Sequence, residues 1–173
     1  MNSVGIDVSK GRSTVTVMRP FGEVVISPFE VRHTDSELSA LARLLKSLDG
    51  ETRVVMEATG NYHTPVAKVL HDARLYVSVV HAKLIHGYGN NDLRRVKTDR
   101  KDAVKLANYG LNRRLTLPRY FPEEDTRLLL KNCYRQYKQY SKVQTVLKNN
   151  LISLLDTAFP NVNRLFSGST TPL

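Results

Sequence analysis

The sequence has little cysteine and no long apolar segment. Cys133 is the single cysteine among 173 residues, so an internal disulfide is excluded, and no cysteine or histidine stands at zinc-ligand spacing from it. No run of eighteen apolar residues occurs, and neither a charged leader nor an apolar segment follows Met1, which argues against membrane insertion or secretion. We therefore expect a cytoplasmic protein without a membrane partner. The five histidines also form no metal-ligand pattern.

The excess of positive over negative charge lies in the second half of the chain. The net charge is +10, yet residues 1–80 hold nine basic and nine acidic side chains, which cancel. The excess is +6 over residues 81–114 and +4 over residues 115–173. A need for solubility alone does not explain a surplus restricted to one half. The second half therefore predicts a basic surface for a polyanion such as nucleic acid.

Pattern and length predict one α/β domain with a single core. Three alternating segments, residues 2–8, 13–18 and 23–27, are separated by turn signals and predict an antiparallel meander. The order then becomes strand, helix, strand, helix, strand, which favours a parallel continuation of the sheet with helices packed on it. The later helices are predicted at residues 34–48 and 62–73, and the later strands at residues 52–56 and 75–80.

Two helices are predicted beyond a Gly/Asn-rich loop at residues 86–92. Thr98 predicts the N-cap of the first, from Asp99 to about Asn112. The second starts near Pro122 and meets no Gly or Pro until Pro160, so it would reach about 50 Å. Seven of its eight heptad-seam positions are apolar or aromatic, which indicates a coiled coil across a homo-oligomer. An ordinary amphipathic helix on its own core is the alternative. The seam positions are 130, 133, 137, 140, 144, 147, 151 and 154.

Four carboxylates stand where a sheet could bring them together. Asp7 and Glu57 end predicted strands, where functional groups of open α/β sheets gather, and Asp99 and Asp102 share one helix face. Their mutual repulsion would call for cations, and hard oxygen ligands suit Mg²⁺ or Mn²⁺. Two such ions support phosphoryl transfer in nucleases and transesterases. Each acid also has an ordinary alternative, since it could cap a turn or helix or balance a neighbouring base.

Three sequence blocks resemble the signature blocks of IS110-type (IS110/IS1111) transposases: residues 5–10 (GIDVSK), 57–62 (EATGNY) and 97–103 (KTDRKDA). The resemblance covers about residues 1–155. It implies an RNase H-like, RuvC-type fold, a mixed five-stranded sheet of order 3-2-1-4-5 with flanking helices, followed here by the long coiled-coil-like helix. It also implies a catalytic DEDD metal site at Asp7, Glu57, Asp99 and Asp102, with Mg²⁺ or Mn²⁺ as the cofactor.

The resemblance further implies DNA strand cleavage and exchange for an insertion sequence, in a prokaryotic, nucleoid-associated setting. Some family members use a structured guide RNA, and members carry a C-terminal domain with a nucleophilic serine. We assign that role to neither Ser167 nor Ser169. We interpret residues 1–115 as the catalytic domain, 122–156 as a dimerisation helix of a dimer or tetramer, and 157–173 as a flexible end or linker.

Small, polar and basic residues around the acids are candidates for contact with nucleic acid. Tyr88 could stack on a base. Other functions remain open: a non-catalytic module that binds nucleic acid and dimerises, a RuvC-like Holliday-junction resolvase, and, least well supported, an actin-like ATPase. The nucleic-acid-binding candidates are Lys10, Thr59, Asn61, Tyr62, Arg94, Arg95, Lys97, Arg100, Lys101 and Lys105.

Overall fold

A five-stranded sheet with helices on both faces forms the first of two units, Met1–Pro122 and Glu123–Leu173, into which the chain divides. The computed structural model describes residues 1–88 and 98–159. The strands are β1 (Asn2–Ser9), β2 (Arg12–Met18), β3 (Val24–Arg32), β4 (Thr52–Glu57) and β5 (Tyr76–Val80). The helices are α1 (Asp35–Lys46), α2 (His63–Asp72), α3 (Ala82–Gly87), α4 (Asp99–Asn112) and α5 (Asp125–Ala158), with a 3-10 turn at Pro20–Gly22.

The strand order β3-β2-β1-β4-β5 confirms the predicted mixed sheet. β1, β2 and β3 pair antiparallel, whereas β4 and β5 continue the sheet in parallel with β1. The third strand is longer than the sequence predicted, since it runs past Ser27 to Arg32. Pro28 lies within it and is tolerated because β3 is an edge strand, whose outward amides need no partner in the sheet.

Apolar side chains pack on both faces of the sheet. One face is covered by α1 and α2, whose Leu41, Leu45 and Leu70 are almost fully buried against the strands. The Thr34 hydroxyl accepts a hydrogen bond from the Glu37 amide and caps α1 as predicted,. The other face is covered by α4, which contributes the buried Leu106. Burial on both faces explains why the middle of β4, Val54 to Met56, and most of β5 are apolar,.

α4 lies against β1 at a glycine. A Cβ at Gly5 would stand 2.0 Å from the carbonyl oxygen of Ala103 and 2.5 Å from the amide nitrogen of Ala107. The Ser3 hydroxyl donates a 2.7 Å hydrogen bond to the Ala107 carbonyl. A Cβ at Gly110 would meet Ser3 Oγ at 2.3 Å. Two glycines, one on each element, therefore allow close backbone contact and fix the helix over the strand.

Two parts of the first unit differ from the sequence expectation. Residues 86 and 87, predicted as loop, belong to α3, which His81 caps by accepting a hydrogen bond from the Lys83 amide. The chain after α4 also stays with the sheet, because Leu117 is buried and the Tyr120 amide donates to the Val77 carbonyl over 2.8 Å. The first unit therefore extends beyond residue 115.

The second unit contains the predicted long helix. α5 begins at Asp125, three residues after Pro122, and comprises 34 residues. Its apolar seam residues are exposed, among them Leu130, Tyr137, Leu147 and Leu154. No helix within residues 1–88 and 98–159 has the length and hydropathy needed to cross a bilayer.

Candidate active site

Two of the four acids lie side by side at one end of the parallel strands. β1 and β4 pair in register up to Ile6 and Met56, so Asp7 and Glu57 are the next residues on adjacent strands. Both carboxylates are half-buried. Because β1 and β4 are parallel, their carboxyl ends meet at one edge of the sheet, where a functional site is expected.

The other two acids reach this edge from the first turn of α4. The Thr98 hydroxyl caps that helix by accepting from the Lys101 amide,. Asp99 is exposed and Asp102 half-buried. The close contact at Gly5 sets the helix on β1 with its N-terminus toward Asp7, and the positive end of the helix dipole favours carboxylates there.

All four carboxylates line one pocket of about 220 Å³. The remaining wall contains polar Thr59, basic Lys105 and three apolar side chains from β1, α3 and α4. Lys105 follows Asp102 by three residues and lies on the same face of α4. Among the described residues, the pocket therefore combines a concentrated negative charge with one cation and an apolar side. Its lining residues are Asp7, Val8, Glu57, Thr59, Ile85, Asp99, Asp102, Lys105 and Leu106.

The donor set fits a hard divalent cation. Four carboxylates offer only oxygen ligands, the type that Mg²⁺ and Mn²⁺ prefer. Within the described residues, no three acidic, histidine or cysteine side chains already form a closed metal-binding group. Like charges repel unless a cation lies between them, so carboxylates on separate elements around one pocket are expected to draw together on an ion.

Some of the residues predicted to contact nucleic acid line the two pockets, and others do not. Thr59 and Lys105 line the acid pocket, and Arg100 lines a neighbouring one. The lining of the acid pocket does not include four other described candidates, Lys10, Asn61, Tyr62 and Lys101. Arg94, Arg95 and Lys97 lie outside the described residues.

The neighbouring pocket extends the site across the sheet. It has a volume of about 460 Å³ and shares Asp99 with the acid pocket. The strand pairing places Asp7, Thr14 and Glu30 in one row across β1, β2 and β3. A polar row therefore runs from the acid pocket toward the edge strand. The pocket is lined by Thr14, Pro28, Phe29, Glu30, Thr98, Asp99 and Arg100.

The histidine at the start of α2 has a shifted pKa. Burial lowers the pKa of His63, the first residue of α2, while hydrogen bonds with the backbone of Thr59 and Gly60 act in the opposite direction. The neutral imidazole is thereby favoured. The turn that follows Glu57 thus contributes a neutral group rather than a second cation to this end of the sheet.

The sequence missed the apolar side of the pocket. Ile85 enters it from α3, a helix too short to show a period in the sequence. Tyr88 packs edge-on against Tyr109, with ring centroids 5.3 Å apart, and accepts a hydrogen bond from Asn112. This packing gives Tyr88 a structural contact, and the base stacking suggested by the sequence stays a prediction. Tyr88 lies more than twenty residues before the α4 residues that it contacts, so no local sequence pattern predicts this contact.

Together, the fold and the pocket define a class: an α/β domain with acidic residues gathered at the carboxyl ends of its central parallel strands. The particular family follows from comparison. Residues 4–160 match the DEDD_Tnp_IS110 family model, described as Transposase. The chain belongs to this transposase family.

Relatives of the chain include the pilin gene-inverting proteins of Moraxella bovis and Moraxella lacunata. Each is 28% identical over 123 residues, which cover 69% of this chain and 38% of the relative. The chain thus spans well under half the length of these relatives. Among solved structures it is similar to Thermus thermophilus RuvC in complex with a Holliday junction substrate, with 12% identity, a TM-score of 0.48, and coverage of 69% of this chain and 99% of that chain. A second Thermus thermophilus RuvC structure gives 15% identity, a TM-score of 0.44 and coverage of 69% and 100%.

Proposed function

We propose that this chain is the metal-dependent catalytic domain of a transposase that cleaves and exchanges DNA strands. The observation that supports the proposal best is the shared pocket of Asp7, Glu57, Asp99 and Asp102 in a chain of this family. The curated relatives are named for inverting a pilin gene, and inversion of a gene requires strand cleavage and rejoining. The reaction class is therefore phosphoryl transfer on DNA.

The four carboxylates would hold Mg²⁺ or Mn²⁺. Bound divalent ions of this kind supply an activated attacking oxygen and stabilise the leaving oxygen in phosphoryl transfer. The chain's own contribution is to supply oxygen ligands from two strands and a helix and to fix them through the backbone contact at Gly5. Ile85 and Leu106 would exclude water from one side of the pocket.

Basic and polar residues would position the DNA backbone. Lys105 is a basic residue of the pocket lining, so it is placed to neutralise a phosphate held beside the carboxylates. Thr59 can donate a hydrogen bond to a phosphate oxygen. Arg100, in the neighbouring pocket, can contact the next phosphate along the DNA strand. Lys101 would add charge at the same end of α4, and Arg94, Arg95 and Lys97 remain candidates on the evidence of the sequence alone. We further propose a cytoplasmic location and, as in some family members, a structured guide RNA as an additional partner.

A second candidate function is non-catalytic, namely nucleic-acid binding and self-association. The exposed apolar seam of α5 favours it, because such a surface is usually covered by a partner. The two functions are compatible in one protein, but only the catalytic one requires a metal bound at the four acids.

Thermal unfolding in a titration of Mg²⁺ and of Mn²⁺ tests the proposed metal site. An ion that binds only the folded state must stabilise it, by about 2.7 kcal/mol at a hundredfold excess over Kd. We expect a concentration-dependent rise in Tm for the parent chain and its loss in Asp7→Asn. Asp49→Asn removes an exposed carboxylate at the other end of the sheet and serves as the matched control, which should respond as the parent does.

Cleavage is measured alongside, on branched and on single-stranded DNA. Asp7→Asn should abolish strand cleavage while nucleic-acid binding persists. A Tm that does not respond to either ion in the parent, or cleavage that survives in Asp7→Asn, would leave binding and self-association as the function of this chain.

A further inference from the structure

A cluster of arginine and aromatic side chains lies at the end of the sheet opposite the acid pocket. Arg53 is the second residue of β4 and Glu57 its last, so the strand rise separates the two by about 13 Å. Tyr76 begins β5 beside Arg53, with which it pairs in register. We call this cluster the arginine–aromatic surface. Its members are Arg53, Tyr76, Arg114, Arg119 and Phe121, all within the first unit.

Two arginines of this surface, Arg53 and Arg119, lie against aromatic rings. The Arg53 Cζ atom is 4.7 Å from the Tyr76 ring centroid, and the Arg119 Cζ atom is 5.7 Å from Tyr76 and 5.8 Å from Phe121. Arg53 also pairs with Glu51. Within the described parts of the chain, neither Arg114 nor Arg119 forms an ion pair, although both are exposed. The surface therefore has an excess of positive charge beside flat apolar rings.

Part of the cluster has a structural role. Arg53 donates to the backbone carbonyl of Arg114, and the Tyr76 hydroxyl donates to the carbonyl of Leu117 over 2.7 Å. These bonds hold the segment after α4 along β5. They account for Arg53 and Tyr76 but not for the outer pair, Arg119 and Phe121. Phe121 contacts the Arg119 guanidinium and, edge-on, the His71 ring at 6.1 Å between centroids, yet it stays 67% exposed and so contributes little to the core.

We propose that the arginine–aromatic surface binds single-stranded nucleic acid. An unpaired base stacks on an exposed aromatic ring or guanidinium plane, while neighbouring arginines contact the phosphates. A duplex offers the phosphates but keeps its bases stacked inside, so it can use only the charge. A protein partner would need a broader apolar area, whereas here the rings are interleaved with cations. This site lies apart from the acids and does not depend on the proposed cleavage function.

The test uses the full chain and fluorescein-labelled oligonucleotides of mixed sequence: single-stranded DNA, single-stranded RNA and a DNA duplex. Phe121→Ala and Arg119→Gln should each weaken single-strand binding about tenfold, within the range measured for base–aromatic stacking. Arg119→Gln should also lower the salt dependence of binding by about 0.7 in the slope of log K against log salt. The two single-stranded probes show whether the surface distinguishes RNA from DNA.

Matched controls distinguish binding at this surface from nonspecific attraction by charge and from loss of folding. Leu115→Ala removes another exposed apolar side chain of the same segment, and Arg43→Gln removes one exposed charge on α1; both should change affinity less than twofold. Phe121→Ala should leave duplex binding unchanged. The rise of Tm with Mg²⁺ should persist in Phe121→Ala and Arg119→Gln, which keeps the outcome distinct from that of the acid pocket.

Cross-linking locates the contact directly. With a bromouracil-containing single strand, ultraviolet light should attach the oligonucleotide to the tryptic peptides of residues 120–127 or 75–83. Parent-like single-strand affinity in both variants would overturn the proposal. So would equal losses for single strand and duplex, because that result would mean attraction by charge without stacking.

Discussion

At the scale of single residues, His33 reports on the folded state of the first unit. Its Nε2 lies 2.8 Å from the Ser13 hydroxyl, and its amide donates to the Gly11 carbonyl. Burial lowers the pKa of His33 from the ordinary value of 6.5. The neutral imidazole is thus the form that the fold accommodates.

The lowered pKa of His33 predicts a loss of stability in acid. Because the folded-state pKa lies below that of the unfolded chain, unfolding takes up a proton between the two values. The contribution is complete above about pH 6.5 and is lost as the pH falls through the folded-state pKa. We expect the free energy of unfolding of His33→Gln to decline less steeply than that of the parent between pH 7 and pH 5. The difference in slope should correspond to the uptake of a fraction of one proton on unfolding.

Urea unfolding midpoints at pH 5, 6, 7 and 8 measure this slope. The comparison is between slopes, since His33→Gln also changes the hydrogen bond to Ser13 and lowers stability at every pH. Identical slopes in the two proteins would show that His33 takes up no extra proton on unfolding.

At the scale of elements, the contact between β1 and α4 determines whether the acids can meet. Gly5→Ala would place a methyl group 2.0 Å from the Ala103 carbonyl oxygen, and backbone cannot give way as a flexible side chain does. We expect α4 to move off the sheet and the free energy of unfolding to fall by about 3 kcal/mol. Asp99 and Asp102 would move with it, so the Mg²⁺-dependent rise in Tm should also shrink.

Chemical denaturation of Gly5→Ala with and without Mg²⁺ measures both effects. Gly87→Ala is the control, because a Cβ there meets nothing within 4 Å, and alanine is the better helix former by about 1 kcal/mol. A Gly5→Ala protein as stable as the parent would mean that the close approach of α4 is not required.

The sequence predicted those elements whose patterns are local. The strands of the meander alternate visibly, and Thr98 marks the start of α4 with its own side chain, so both could be read without a structure. α3 could not be, because six residues are too few to show a helical period. The course of the chain near Leu117 was also missed, since backbone bonds to β5 and tertiary burial determine it.

The candidate site was likewise predictable only where its residues follow local patterns. The four acids could be predicted to lie near one another because they stand at strand ends and at a helix start, and all four line one pocket. Which neighbours would line the pocket depends on how the turn after β4 bends and how α4 is rotated. Hence Thr59 and Lys105 line it, whereas Asn61 and Lys101, equally polar in sequence, do not.

At the scale of the whole molecule, α5 presents an apolar surface that the described residues of its own unit leave uncovered. Its 34 residues extend about 51 Å, and its seam includes Tyr140 at 70% exposure and Leu147 at 62%. Monomeric proteins rarely expose an apolar stripe of this length. The heptad spacing of the stripe suits a second helix of the same kind, so we propose that copies of this chain associate along it.

Leu147→Asp should reduce self-association, because it introduces a charge within the seam that pairing would have to bury. Asn149→Asp adds the same charge two residues away, off the seam, and should behave as the parent. Light scattering over a concentration series measures the mass. We expect the parent and Asn149→Asp to approach the dimer or tetramer mass while Leu147→Asp stays at 19.6 kDa. A parent of monomer mass at every concentration would mean that the seam binds something other than its own kind. Equal masses for the two variants would instead place the contact elsewhere on the chain.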